Sequence, residues 1–148
     1  MADGASILTR CGIDTVEIAR VERLLLGTPH EDLLRIFSKE ELGDVGEGPR
    51  RAASLAARFA AKEACLKLFP RETALGLIGP ADFALARDGY GTPRVECSPR
   101  AMELIARHRL KPIIVSLAHD KPSASAVAVA ESASPEEHAP AGEPDRTI

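Results

Sequence analysis

The segment Leu55–Phe69, LAARFAAKEACLKLF, leaves this chain little freedom. It contains neither Gly nor Pro and is built largely from strong helix formers, so it predicts a long helix. At 3.6 residues per turn, Leu55, Phe59, Leu66 and Phe69 share one stripe. Ala53, Ala60 and Ala64 lie on the other side, where small side chains let a second backbone come close. A helix that is apolar or small nearly all round belongs inside a fold, which makes its charges informative. They are Arg58, Lys62, Glu63 and Lys67; Lys62 falls within the apolar stripe, and Glu63 and Lys67 sit one turn apart on its shoulder. Two readings fit. In one, Glu63 and Lys67 form an i,i+4 pair on a half-exposed face, worth roughly a few tenths of a kcal/mol. In the other, a carboxylate is held at a metal with a lysine beside it for phosphate.

The flanking segments suggest a mixed α and β chain. Ile7–Asp14 predicts a strand that places Asp14 at its carboxyl end, where ligands often bind; Asp14 or Thr15 could equally cap the following helix. Val16–Leu26 is amphipathic, with Arg20 and Arg23 projecting together, and Gly27-Thr28-Pro29 ends it. A short helix is expected near Glu31–Phe37, and Ser38-Lys39-Glu40-Glu41 has the form of a capping box. After the glycine-rich loop Gly43–Pro49, Arg50 and Arg51 stand at the entry of the central helix. Cations are mildly unfavourable there, so the pair is either simply solvated or close to an anion. Asp82–Ala86 and Arg94–Cys97 predict a hairpin around Gly89-Tyr90-Gly91-Thr92-Pro93. Ser98-Pro99 starts a helix running to about His108, and Ile113–Leu117 and Ser125–Glu131 predict the last two strands.

From Ser132 the composition changes. The last segment holds three prolines and four acids against one Arg, so 1–131 is expected to be the folded domain and 132–148 a disordered acidic, Pro-rich tail. Aromatic content of 3% and a net charge of −3 argue against a nucleic-acid partner. Cys11, Cys65 and Cys97 form no CxxC or His/Cys cluster, which argues against structural zinc and suggests reduced thiols in a cytoplasmic protein. No segment has the length of a membrane span or the form of a secretory signal, so no membrane association is expected.

Three segments stand out in order: Gly12-Ile13-Asp14-x-x-Glu17, Arg58-Phe59-Ala60-Ala61-Lys62-Glu63-Ala64-x-x-Lys67, and Val115-Ser116-Leu117-Ala118-His119 with the alternating strand after it. Together they resemble the signatures of the short bacterial class of 4′-phosphopantetheinyl transferases, the holo-[acyl-carrier-protein] synthases. Gly91-Thr92-Pro93 fits the family's glycine–x–proline turn, and the likeness spans roughly Ile7–Glu131. The resemblance implies an α+β fold, an antiparallel sheet packed around a long central helix, assembled as a homotrimer with sites between subunits. It implies transfer of 4′-phosphopantetheine from coenzyme A to a serine of apo acyl carrier protein, with release of adenosine 3′,5′-bisphosphate. Asp14 and Glu63 match the family's ligands for Mg²⁺, with Mn²⁺ as an alternative metal, and Lys67 matches its phosphate-contacting lysine. Glu63, directly or through a water, would be general base, and Lys62 a supporting residue. Arg50, Arg58 and His119 match positions that hold the phosphates of coenzyme A. Arg20 and Arg23 match the docking site for the acidic helix of the carrier, of a fatty-acid or polyketide synthase; the plainer reading of that pair is solubility. Ala118 and Asp120 depart from the family pattern, standing where relatives often carry small hydroxyl residues. The competing readings are a non-catalytic trimeric relative that binds carrier or coenzyme A, and a small α/β binding module with a solvated charged helix.

Overall fold

The computed structural model describes residues 8–133. Strand β1 (Thr9–Glu17) leads into helix α1 (Ile18–Gly27), followed by two short helices, α2 (His30–Leu33) and α3 (Lys39–Val45). The long helix α4 (Arg51–Leu66) comes next, then the single turn α5 (Arg71–Ala74) and a 3₁₀ turn at Pro80–Asp82. Strands β2 (Phe83–Arg87) and β3 (Pro93–Cys97) form a hairpin, α6 (Pro99–Arg107) follows, and β4 (Ile114–His119) and β5 (Ser123–Glu131) close the fold. The sheet is antiparallel throughout but divided: β1-β5-β4 form one three-stranded unit and β2-β3 a separate pair.

The expected central helix is present, shifted towards the N-terminus. It begins at Arg51 and ends at Leu66, so Phe69 leaves the stripe assigned to it and instead stacks on Phe83 at 6.2 Å between ring centres. Pro70, which cannot continue a helix, follows directly. Helix α4 lies over β5, whose inward residues Ala124, Ala126, Ala128 and Ala130 are all buried beneath it. Small residues on both surfaces bring helix and sheet close. At Gly12 a Cβ would stand 2.1 Å from the carbonyl oxygen of Ala64, so only glycine fits.

Strand β1 corrects the expectation for Asp14. It pairs with β5 along its whole length, from Thr9 opposite Glu131 to Glu17 opposite Ser123. The ladder overrides the helical periodicity of Val16–Leu26 and carries Val16 into the strand. Asp14 therefore lies inside β1, not at its end. It does not cap α1, whose N-cap residue is Glu17 with no side-chain capping bond. The other local signals match the fold: Ser38 and Glu41 form the capping box of α3, and Ser98 caps α6 with Pro99 in its first turn. The helix expected near Glu31–Phe37 shortens to His30–Leu33. Asp120 accepts from the Ser123 N–H and closes the turn between β4 and β5.

Ser132 bridges to Leu110 and its N–H donates to Leu8 O, so backbone pairing continues past Glu131. Of the segment expected to be a tail, 134–148 lie outside the described residues. Cys11, Cys65 and Cys97 are free, and burial pushes the Cys65 thiol up to about 12. Among the described residues, no helix is long and apolar enough to cross a membrane.

Candidate active site

The residues singled out from the sequence gather in two places, on the two flanks of α4. Asp14 and His119 both point towards α4 by the alternation of their strands. They stand on the opposite edges of the three-stranded sheet, Asp14 opposite Ala126 and His119 opposite Ala124, with β5 and α4 between them.

On the β1 flank, the Nζ of Lys67 donates to Asp14 Oδ1 at 2.9 Å and to the Ile13 carbonyl at 2.7 Å. Lys67 is thus bound to β1, and the expected i,i+4 pair with Glu63 gives way to this contact across the fold. Glu63 is half-buried on the preceding turn of α4. Desolvation holds its carboxyl above the usual range, and the charge of Asp14 adds to this; Lys67 and Arg20 oppose it. The four side chains therefore form one electrostatic group, with Arg20 reaching it from α1. Arg23 is exposed on the same helix. Beside Glu63 and Lys67 opens a groove of about 620 Å³, walled mainly by Leu66, Phe69, Ala74, Leu75 and Ile78.

Asp14 and Glu63 offer a pair of hard oxygen donors whose charges disfavour each other in the absence of a cation. Among the described residues no group of three or more His, Cys, Asp or Glu could enclose a metal. Glu63 borders the open groove, and a two-carboxylate set of this kind would suit Mg²⁺, which takes its other ligands from phosphate and water.

On the other flank lies a cleft of about 430 Å³, lined by Arg50, Ser54 and Arg58 at α4, Asp44 at the end of α3, Arg87 of β2 and His119 of β4. The three residues expected to hold nucleotide phosphates, Arg50, Arg58 and His119, thus share one cleft. Arg58 is 9% exposed, and its Nη1 donates to the Leu85 carbonyl at 3.0 Å. Desolvation lowers its pKa, the charges of Glu41 and Asp44 oppose this, and Arg87 adds a further lowering. The cations at the helix entry also separate in role. Arg51 is used locally, bonded to the Gly46 carbonyl and 3.7 Å from Glu47, while Arg50 faces the cleft.

Three participants escaped sequence reasoning. Arg87 lies one residue beyond the strand expected over Asp82–Ala86, yet its period-2 relation to the buried Phe83 and Leu85 places it on their face. Asp44 carried no signal beyond its place in a loop-like stretch. Glu41 appeared only as a capping residue, yet it is 1% exposed and pairs at 2.8 Å with Lys62, which is 0% exposed. Ala118, by contrast, lies outside this chain's cleft: it alternates with Leu117 and His119 and faces the outer side of the sheet, opposite Ser125.

The 4′-phosphopantetheinyl transferase superfamily profile matches residues 10–130. A holo-[acyl-carrier-protein] synthase of Moorella thermoacetica is 39% identical over 130 residues, covering 88% of this chain and 99% of its own. Among solved structures, Helicobacter pylori holo-[acyl-carrier-protein] synthase in complex with coenzyme A superposes with a TM-score of 0.65 at 27% identity, over 81% of this chain and 98% of that one. A holo-(acyl-carrier-protein) synthase of Bacillus anthracis in complex with CoA (3′,5′-ADP) gives 0.62 at 25% identity, over 86% and 100%. The chain belongs to the holo-[acyl-carrier-protein] synthase family of 4′-phosphopantetheinyl transferases.

Proposed function

We propose that this protein transfers 4′-phosphopantetheine from coenzyme A to a serine of an apo acyl carrier protein of fatty-acid or polyketide synthesis, with Mg²⁺, releasing adenosine 3′,5′-bisphosphate in the cytoplasm. The observation that carries this reading is the division of the site: an Asp14–Glu63–Lys67 cluster on one flank of α4 and an arginine cleft on the other. Coenzyme A carries two kinds of phosphate, a pyrophosphate that must be cleaved and a phosphomonoester that must only be held. The carboxylate cluster suits the first and the arginine cleft the second.

In the transfer, the serine oxygen forms a bond to the β-phosphorus of the pyrophosphate while the bond to the bridging oxygen breaks, and the nucleotide bisphosphate leaves. Asp14 and Glu63 would hold Mg²⁺, which supplies charge neutralisation on the phosphate oxygens. Glu63, directly or through a water it orients, takes the serine proton; in the metal-free chain burial and the charge of Asp14 raise its pKa. Lys67, fixed by Asp14 and Ile13, donates to the phosphoryl oxygens. Arg50, Arg58 and His119, with Arg87 beside them, hold the phosphomonoester. The apolar groove beside Lys67 receives the pantetheine arm. Arg20 and Arg23 on α1 meet the acidic face of the carrier, and Arg20 already acts electrostatically on Glu63.

Assembly joins the two flanks. The sheet face turned away from α4 carries Cys11, Ile13, Ser116, Ile114, Val127 and Val129 in adjacent rows, with Ile13 64% and Ile114 71% exposed. An apolar sheet face of this kind seeks a partner surface. A homotrimer formed through it would set the carboxylate cluster of one subunit against the arginine cleft of the next. Residues 1–131 carry the transferase activity in this reading, with Ser132 adding its pairing to Leu8 and Leu110, and 132–148 are dispensable for catalysis. Mass spectrometry of apo acyl carrier protein incubated with this protein, coenzyme A and Mg²⁺ should show the gain of one phosphopantetheine, abolished by EDTA. A folded protein that modifies no carrier would favour the non-catalytic reading.

A further inference from the structure

We propose that Glu41 is a positioning residue for coenzyme A: its buried carboxylate locks together three walls of the arginine cleft and so sets the guanidinium of Arg58. This rests on the reading of the cleft as the phosphomonoester site. The cleft is walled by the end of α3, by α4 and by β2. Glu41 touches all three. Its Oε2 accepts from the Ser38 N–H at the start of α3 (2.8 Å) and from Lys62 Nζ of α4 (2.8 Å), and its Oε1 accepts from the Leu85 N–H of β2 (2.6 Å).

The same contacts solve a problem of the hairpin. Strand β2 pairs with β3 on one side only, which leaves backbone groups along its other edge. Side chains take the place of a neighbouring strand there. Glu41 accepts the Leu85 N–H, Arg58 donates to the Leu85 carbonyl, and Lys62 donates to the Phe83 carbonyl at 2.8 Å. Arg58 and Glu41 hold the two polar groups of one residue, so a displacement of Glu41 moves the carbonyl that orients Arg58. Lys62 pairs with this buried carboxylate, and the charge of Glu41 also acts on Arg58. The Arg58 guanidinium lines the cleft with Arg50 and Arg87, three cations against the carboxylate of Asp44, and an incoming phosphate meets this excess of positive charge.

The test is Glu41→Gln, read in two ways: coenzyme A affinity by calorimetry, and steady-state transfer to apo carrier. Positioning predicts a rise in both the Kd and the KM for coenzyme A of about tenfold, with kcat within about threefold and the carrier KM unchanged. It also predicts that Glu41→Gln adds little to Arg58→Ala, the double variant binding coenzyme A as weakly as Arg58→Ala alone. Ser38→Ala removes the cap of α3 without touching the Glu41 carboxylate, and should lower Tm while leaving the coenzyme A KM unmoved. If Glu41→Gln does not fold, Glu41→Gln/Lys62→Met removes both charges together and should show the same loss of affinity. An unchanged coenzyme A Kd, or effects of Glu41→Gln and Arg58→Ala that add in full, would reduce Glu41 to a fold-stabilising residue. Wild-type protein that binds coenzyme A but transfers nothing would overturn the catalytic reading, while the Kd ratio still decides the role of Glu41. Wild-type protein that does not bind it overturns both.

Discussion

Glu63 concentrates the conflict between stability and function at the residue scale. Its carboxyl is half-buried, faces Asp14, and has its pKa raised. An acid whose pKa is higher in the folded chain than in the unfolded one destabilises the fold once pH rises above the unfolded value, here 4.5, and has no effect well below it. Glu63→Gln should therefore raise Tm at pH 7 in metal-free buffer and give no gain near pH 4. The same variant should lower transfer by at least about 100-fold with the circular dichroism spectrum unchanged. A stabilised but fully active Glu63→Gln protein would remove this carboxylate from proton transfer. The pattern of charges within the helix exposed Glu63 and Lys67, because charges on an apolar segment demand a partner. Their partner was illegible for the same reason: Asp14 lies 53 residues from Lys67, and periodicity within one helix says nothing about contacts across the fold.

At the scale of elements, β1 and α4 show what pairing does to local preference. Periodicity and composition gave α4 to within a few residues, and capping chemistry placed the starts of α3 and α6. The end of β1 was misplaced because its pairing with β5, over a hundred residues away, outweighs the helical pattern of Val16–Leu26. Glycine at position 12 is the cost of packing these elements closely. Gly12→Ala forces a methyl against a backbone carbonyl that cannot swing aside, and should destabilise the fold by about 2–3 kcal/mol, read as a fall in Tm of several degrees. A neutral effect would mean that α4 can shift away from the sheet without loss. The hairpin β2-β3 was legible as an element, whereas its fastening to α4 through Glu41, Lys62 and Arg58 was not. A capping-box glutamate carries no mark in sequence of a second, tertiary role.

For the whole molecule, the candidate residues stand in two groups on the two flanks of the central helix, and among the described residues the sheet face turned away from that helix is left uncovered. The ordered motifs made the family legible, since no local signal alone would have joined Asp14, Glu63 and His119. Their separation onto two flanks became visible only with the sheet order β1-β5-β4. The assembly reading predicts that Ile13→Asp, a change at a 64% exposed position, leaves the single chain's stability within about 0.5 kcal/mol yet abolishes both trimerisation and transfer. Light scattering after size exclusion would show a folded monomer; an active trimer would place the interface elsewhere.

The most direct measurement mixes two inactive proteins. Glu63→Gln spoils the carboxylate cluster and leaves the arginine cleft intact, whereas Arg58→Ala does the reverse. Unfolded and refolded together, they form trimers in which one subunit interface in four pairs an intact cluster with an intact cleft. Sites built between subunits should recover about a quarter of wild-type transfer from the mixture. Each variant refolded alone should stay inactive. If the mixture is as inactive as its components, each site lies within a single chain, and the account of two flanks joined by assembly is wrong.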